Sequence, residues 1–361
     1  MIKEYKYINV TQECYCFENK EICIWGRSVS ALALYVGLCS RGVKVIGFTD
    51  SYASENEMFA GLPVFTFHQL QRMNNLVIYI STVNVQFLRQ ILDKVEVLSN
   101  ADILCRRNVR GGVCYDVLRL RELMGKDFKE IEETRSALCD EKSIKTFDNL
   151  LKYRVSNDIR LIDEIYEQGH SQYFPIDEIL PMEKGEIFID VGGFDGKTSY
   201  EFAKWVKDDY SLIYIMEPNK LMVKVIEEYI KIYNLKNVVL INKGAYSSEK
   251  NMSFHGDYGS SRIQLDGEEV IQTITIDKML AGRKVTYIKM DIEGAEMEAL
   301  LGADQAIRTY RPKLAISIYH REDDLWKIPY HIKERYPWYK LYMRHYTPRT
   351  TETVLYAVAD R

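Results

Sequence analysis

The sequence predicts an α/β protein, and three observations carry that expectation. Strand and helix patterns alternate in two separate stretches, glycine-bearing turns follow strands in both, and the last two strands are joined by a turn too short for a crossover. With 361 residues, 47% of them hydrophobic, the chain can bury more than one core, so two domains are expected. The formal net charge of −4 arises from interspersed residues of both signs, with no basic block to collect phosphates. Bulk nucleic acid and anionic membrane surfaces are therefore not expected partners. The longest apolar run, near Ala31 to Cys39, is far shorter than the roughly 20 residues that span a bilayer, and the N-terminus lacks an apolar signal core. The expectation is a cytoplasmic protein acting on a small molecule or glycan; an oligomer is compatible with it.

Seven cysteines (Cys14, Cys16, Cys23, Cys39, Cys105, Cys114 and Cys139) lie in the first 140 residues, with no CxxC pair or matching histidine cluster. No zinc site is indicated, and the thiols read as small buried hydrophobes in a reducing compartment.

Residues 1–105 open the first α/β stretch. EICIW from Glu21 is a short buried strand, SVSALALYVGLCSRG a helix that stops at Gly42, and VKVIGFTD a second strand, which together make a βαβ unit. LVIYIST and VQFLRQILDKV add a strand and a helix, giving a small Rossmann-like half-domain. Its dinucleotide fingerprint is degenerate, because aligning Gly26 with the first glycine leaves Ser28 and Ala31 at the other positions. Asp50 ends the second strand. Residues 106–180 change to charged helical segments with apolar residues at helical spacing, and are expected to connect two domains.

From residue 181 to 361 the alternation restarts. Strands are expected at EIFIDV, LIYIMEP, NVVLINKG, VTYIKMDI and KLAISIYH, then at WYKLYMRHY and TVLYAVAD across the turn TPRTTE. So short a turn makes the last pair antiparallel. Five βα units closed by such a hairpin are the strand plan of a seven-stranded, class I methyltransferase sheet with its last strand inserted antiparallel.

Chemistry concentrates at the strand ends of this second stretch. IFIDV runs into GGFDG, where Gly192 and Gly193 let a ligand approach the backbone and Asp190 and Asp195 offer carboxylates. Glu217 ends the next strand, followed by Pro218 and Asn219, and is placed for bidentate hydrogen bonding to ribose hydroxyls. Asp291 ends the fourth strand and His320 the fifth. Asp291, Glu293 and His320 together could hold a divalent cation, although Glu293 and Glu296 read equally well as first-turn helix carboxylates. The polar insertion before the fourth strand supplies Tyr258, Ser260, Ser261 and Arg262 as candidate acceptor contacts, since loops over the cleft select substrates in α/β enzymes.

Through FIDVGGFDGKTS, YIMEPN, NKGAYS, YIKMDIEGAEMEAL and ISIYHREDDLWKIP, residues 186–361 resemble the FkbM family of S-adenosylmethionine-dependent O-methyltransferases. QYFPIDEIL from Gln172 is similar to the lead-in of members linked to surface-polysaccharide clusters. Gly193 departs from the alanine that members often carry. The resemblance implies that Asp190, Gly192 and Gly193 contact the methionyl end of S-adenosylmethionine, Glu217 its ribose, and Ala245 and Tyr246 its adenine, with Asp195 and Asn219 nearby. His320 is favoured slightly over Asp291 as the base that removes the acceptor's hydroxyl proton, because an imidazole ordinarily titrates near neutrality. WGRSVSALALYVGLCSRGVKVIGFTD and GLPVFTFHQL resemble the nucleotide-sugar-binding N-terminal domain of UDP-amino-sugar acetyltransferases. An O-methyltransferase acting on a sugar, nucleotide sugar or glycan in surface-polysaccharide biosynthesis is the leading expectation. The alternatives are a nicotinamide-dependent sugar-modifying oxidoreductase using Gly26 and Asp50, and a noncatalytic nucleotide-sugar-binding module.

Overall fold

The computed structural model describes residues 6–8, 17–82, 85–98, 100–106, 117–156, 158–169, 171–174, 179–255, 262–263 and 269–359. The chain divides into two compact units: residues 1–121, 149–164 and 348–350 form the first, and 122–148, 165–347 and 351–361 the second. The stretch expected to be a connector contributes to both.

The first unit holds β1 (Lys6–Ile8), β2 (Glu21–Trp25), β3 (Val45–Thr49), a small hairpin of β4 (Met58–Phe59) and β5 (Leu62–Pro63), β6 (Leu76–Ile80) and β7 (Ala101–Arg106). Five of these make a parallel sheet in the order β1-β7-β6-β2-β3. The continuous apolar runs of β2 and β6 are buried on both faces, as parallel strands require. At the end of β2, Gly26 has φ +118° and its missing Cβ would meet Ser81 Oγ at 2.5 Å, so the turn needs glycine. Beside it Arg27 donates through Nε to Asp50 (2.5 Å) and through Nη1 to Glu57 (2.9 Å). Asp50, the acid a nicotinamide nucleotide would need, is thus already engaged by a guanidinium.

The second unit carries β8 (Glu186–Val191), β9 (Tyr210–Met216), β10 (Val238–Ile241), β11 (Gly244–Ala245), β12 (Asn251–His255), β13 (Arg262–Ile263), β14 (Glu269–Ile274), β15 (Tyr287–Met290), β16 (Lys313–Ser317), β17 (Tyr339–His345) and β18 (Thr353–Ala359). Its main sheet runs β10-β9-β8-β15-β16-β18-β17. β18 lies antiparallel between β16 and β17, as expected of the closing hairpin. Described strands of the polar insertion join β11 in a smaller sheet, β11-β14-β12-β13.

Aromatic packing sets the height of the central strands. Phe188 of β8 stacks on Phe202 of the following helix at 4.2 Å between ring centres, and Phe174 of the lead-in closes over both. That packing fixes the carboxyl end of β8, where the glycine turn begins. Asn219 starts the helix Lys220–Ile232 by accepting the amides of Leu221 (2.9 Å) and Met222 (3.3 Å), a side-chain cap that turns the chain sharply at the end of β9.

Asp304, at the start of the helix Asp304–Tyr310, gathers Arg308, Arg335 (3.0 Å) and the Tyr336 hydroxyl (2.9 Å). Burial opposes its charge, but these donors win and hold the carboxyl near 2, below its ordinary 3.8. A depressed folded-state pKa stabilises above the unfolded value and loses that stabilisation as pH falls toward 2. Urea unfolding should therefore find Asp304→Asn less stable than wild type by about 1 kcal/mol at pH 7, with solvent screening allowed for, and the gap shrinking between pH 4 and pH 2. An equal gap at pH 7 and pH 3 would contradict this account.

Candidate active site

A cavity of about 350 Å³ opens at the carboxyl ends of β8, β9, β15 and β16, where ligands of open α/β sheets bind. The glycine turn forms one wall. Gly192 has φ +84°, and a Cβ there would lie 2.0 Å from the backbone oxygen of Asp291, so the turn and the end of β15 approach too closely for any side chain. Gly193 faces the other way: its Cβ would meet Ile215 Cγ2 at 2.2 Å, and Ile215 thus fills the space an alanine would need. Gly193 and Asp190 do not line the cavity, whereas Gly192, Asp195, Glu217 and Ala245 do.

Asp190 sits one layer behind the wall. It is fully buried, pairs with Lys289 Nζ at 2.9 Å and accepts the Ser199 hydroxyl at 2.8 Å. Lys289 also donates to the Gly192 carbonyl at 2.7 Å, so the pair pins the glycine turn to β15. Through Lys289, Asp190 thus supports the cavity wall without lining the cavity.

Glu217 bridges the turn and its own strand. Its carboxylate accepts the amides of Phe194 (3.0 Å) and Asn219 (2.8 Å) while forming part of the cavity wall. Burial raises its pKa; the two amides and Lys289 oppose the rise. Asn219 caps its helix and is not among the lining residues. Tyr246, expected beside adenine, lines a neighbouring cavity of about 440 Å³ with Lys250, Asn251, Ser253 and Arg321, and Lys250 Nζ lies 4.2 Å from the centre of its ring. The two cavities share Ile292, Glu293 and Ala295 as a common wall.

Asp291 and His320 meet, as the strand-end pattern suggested. His320 Nε2 lies 3.4 Å from Asp291 Oδ1 and 3.7 Å from Glu293 Oε2, while Nδ1 is 2.9 Å from Glu296 Oε1. Asp291 accepts the Tyr173 hydroxyl at 2.8 Å. Burial works against the Asp291 charge, but Lys289, His320 and Tyr173 hold its carboxyl below the usual range. For His320, burial lowers the pKa, yet Glu296, Asp291 and Glu293 outweigh it and push the imidazole up to about 9. An imidazole held among these carboxylates favours its protonated form, which offers no lone pair to a further proton. Asp291 is the group of the pair able to accept a proton.

Of the expected acceptor contacts, Tyr258, Ser260 and Ser261 lie outside the described residues, and Arg262 is described only by its backbone, opening β13. Polar lining residues not foreseen from the sequence include Gln172 and Tyr173 in the lead-in, Thr198 after the glycine turn, Tyr319 after β16, and Glu352 in the hairpin turn, which accepts the Tyr319 hydroxyl at 3.2 Å. Lys289 was not foreseen either, although a lysine inside the apolar run YIKM is a signal of a buried partner.

Residues 125–343 match the family model described as the Methyltransferase FkbM domain. The chain belongs to the FkbM methyltransferase family. This FkbM protein is an S-adenosylmethionine-dependent methyltransferase, and its match begins well upstream of β8. It is similar in fold to the crystal structure of Methyltransferase FkbM from Methylobacillus flagellatus KT, with a TM-score of 0.64 and 21% identity over 94% of this chain and 90% of that one. Weaker likenesses include an rRNA methylase from Streptococcus thermophilus (TM-score 0.35, 12% identity, 51% of this chain and 90% of that one). Another is fibrillarin from Aeropyrum pernix in complex with S-adenosyl-L-methionine (TM-score 0.32, 13% identity, 50% and 69%). No curated protein matches the chain. Among the described residues, no helix is long and apolar enough to cross a membrane.

Proposed function

We propose that this FkbM methyltransferase methylates a hydroxyl of a sugar, nucleotide sugar or glycan, in surface-polysaccharide assembly in the cytoplasm. One observation carries the reading: a single cavity runs from the glycine turn, past Glu217 and Ala245, to a polar end formed by Gln172, Tyr173, Asp291, Tyr319 and Glu352. Its volume of about 350 Å³ falls in the range of small-ligand sites. The residues suit the donor, since Gly192 brings bare backbone to the wall and Glu217 offers a carboxylate for ribose hydroxyls. Asp195 and Ala245 complete this donor end. S-adenosylmethionine supplies an electrophilic methyl when bound.

The other end suits a polyhydroxylated acceptor, because hydroxyl, amide and carboxylate groups alternate around it. The neighbouring cavity, lined by Lys250, Asn251, Ser253 and Arg321, extends the room for a larger acceptor beyond Glu293. A nucleotide-sugar site in the N-terminal region, the expectation raised by WGRSVSALALYVGLCSRGVKVIGFTD and GLPVFTFHQL, belongs to the same proposal.

As the acceptor oxygen bonds to the methyl carbon, the carbon–sulfur bond breaks and its electron pair stays on sulfur. The hydroxyl proton grows far more acidic during that step, so a carboxylate of low basicity such as Asp291 can take it. Tyr173 and His320 hold Asp291 in place for this. A divalent cation on the Asp291 cluster belongs to the same reading.

Calorimetry with S-adenosylhomocysteine tests the donor end. Wild type should bind, and Glu217→Ala should bind at least tenfold more weakly, because the carboxylate that both faces the donor and anchors the turn is gone. Absence of binding to wild type would sink the reading. Methyl transfer from labelled donor to a panel of glycosides and nucleotide sugars tests the acceptor end, and transfer only to non-sugar hydroxyls would overturn the acceptor class.

A further inference from the structure

The cavity beside the donor site carries positive charge that the fold leaves unanswered. Lys250 and Arg321 both line it and both are exposed, so a ligand entering the cavity can reach them. Other cations of this unit are engaged: Lys289 by Asp190, Lys313 by Glu186, and Arg308 and Arg335 by Asp304. Among the described residues, neither Lys250 nor Arg321 forms an ion pair through its side chain. The acid of this lining, Glu293, is instead turned toward His320 Nε2, 3.7 Å away.

Each cation is held by contacts that leave its charge available. The Lys250 amide donates to Thr273 Oγ1 at 3.1 Å and its carbonyl accepts the Thr273 amide at 2.9 Å, which ties the residue to β14 where β12 begins. Its Nζ lies 4.2 Å from the centre of the Tyr246 ring, whose face attracts an ammonium without neutralising it. The Arg321 amide donates to Asp324 Oδ2 at 2.8 Å, which fixes the chain just after His320. Its side chain lies against Gly294, at φ +99°, where a Cβ would stand 3.2 Å from Arg321 Nε; glycine leaves the arginine its place along the β15 loop. Asn251 and Ser253, two positions apart on β12, share one face of that strand and add an amide and a hydroxyl to the same lining.

We propose that Lys250 and Arg321 bind a phosphoryl group of the acceptor, which makes the acceptor a sugar phosphate or nucleotide sugar rather than a neutral glycan. Two unanswered positive charges match the roughly two negative charges of a phosphate monoester near neutral pH. Arginine offers a planar fork for two phosphate oxygens and lysine a point charge, while Asn251 and Ser253 can donate to a further oxygen. A neutral sugar leaves both cations unanswered, and a single carboxylate answers half of the charge. Assigning this phosphoryl group to the methyl acceptor rests on the methyltransferase reading, in which the acceptor reaches Asp291 across the wall of Ile292, Glu293 and Ala295. Binding of phosphate does not rest on it and can be measured alone.

Phosphorus NMR of inorganic phosphate titrated with full-length protein at low ionic strength is the first test. The phosphate signal should broaden saturably, and high salt should reverse the effect. Lys250→Gln and Arg321→Gln should each weaken binding about tenfold, and the double variant should abolish it, with circular dichroism and S-adenosylhomocysteine binding as in wild type. Glucose and glucuronic acid should fail to displace the phosphate. In methyl transfer from labelled donor, sugar monophosphates or UDP-sugars should exceed their unphosphorylated counterparts at least tenfold in kcat/KM, a preference the double variant loses. No binding by wild type, unchanged binding in the double variant, displacement by glucuronic acid as effective as by phosphate, or equal transfer to neutral sugars overturns the proposal. Loss of S-adenosylhomocysteine binding in the double variant would assign the cavity to the donor and overturn it too. Wild type that binds phosphate but no S-adenosylhomocysteine would instead strike the methyltransferase reading and leave the phosphoryl site standing.

Discussion

Lys289→Met should cost about 3–5 kcal/mol of folding stability, the loss expected when one partner of a buried ion pair is removed. Lys289 is 2% exposed and Asp190 0%, and their 2.9 Å contact lies between the two central strands of the sheet. Without the ammonium, the fully buried Asp190 carboxylate keeps, among the described residues, the Ser199 hydroxyl alone. Burial alone would lower the lysine's pKa, but Asp190, Asp291 and Glu217 outweigh that and raise it, so the ammonium is charged across the working pH range. The same change frees the Gly192 carbonyl and so loosens the wall of the cavity. Urea unfolding with S-adenosylhomocysteine calorimetry reads both effects. Asp190→Asn combined with Lys289→Met should be more stable than Lys289→Met alone, because a neutral amide is a far smaller burden to bury than a carboxylate. A single variant that loses less than about 1 kcal/mol would show that the pair does not hold the turn.

This pair also marks where the sequence was legible. The seven strands of the main sheet, the antiparallel insertion of the last and the strand-end acids all follow from local patterns: buried apolar runs, a glycine turn and a hairpin too short for a crossover. Those patterns place backbone, and they place a side chain only to the nearest face. Asp190 and Gly192 are neighbours in one motif, yet Asp190 lies within β8 and faces Lys289 in the core, while Gly192, past the end of the strand at φ +84°, turns bare backbone to the cavity. Asn219 looked like part of the donor site by its position after Glu217, but its carbonyl serves its own helix.

Long-range contacts were beyond sequence reach. Tyr173 meets Asp291 from a lead-in 118 positions away, and Glu352 meets Tyr319 from the far hairpin. His320 shows the same limit in its chemistry. Its ordinary pKa made it the natural base, while three carboxylates from the β15 loop and its helix determine its charge here. Neutral and charged imidazole have identical sequences, and only the surrounding field separates them.

Asp291→Asn should lower kcat by about 10²–10⁴-fold, the usual worth of a positioned proton acceptor, with S-adenosylhomocysteine binding within a few-fold of wild type. The donor end is built by the glycine turn, Glu217 and Ala245, none of which bonds the Asp291 carboxylate, so binding and turnover should separate. Asparagine keeps the shape and can still accept the Tyr173 hydroxyl, but it can neither take a proton nor balance the imidazolium of His320. Acid dependence gives a second reading of the same residue. With Lys289, His320 and Tyr173 holding its carboxyl below the ordinary 3.8, Asp291 stays ionised as pH falls from 7 to 5, and loses its charge only below its own depressed pKa. Turnover at saturating donor should therefore show no fall attributable to this group between pH 7 and pH 5. Tyr173→Phe removes one hydrogen bond to the charged form, so its acid limb should move upward while its kcat at pH 7 stays within about tenfold of wild type. An Asp291→Asn enzyme with wild-type turnover would remove Asp291 from the chemistry and leave the cluster around His320 a structural one.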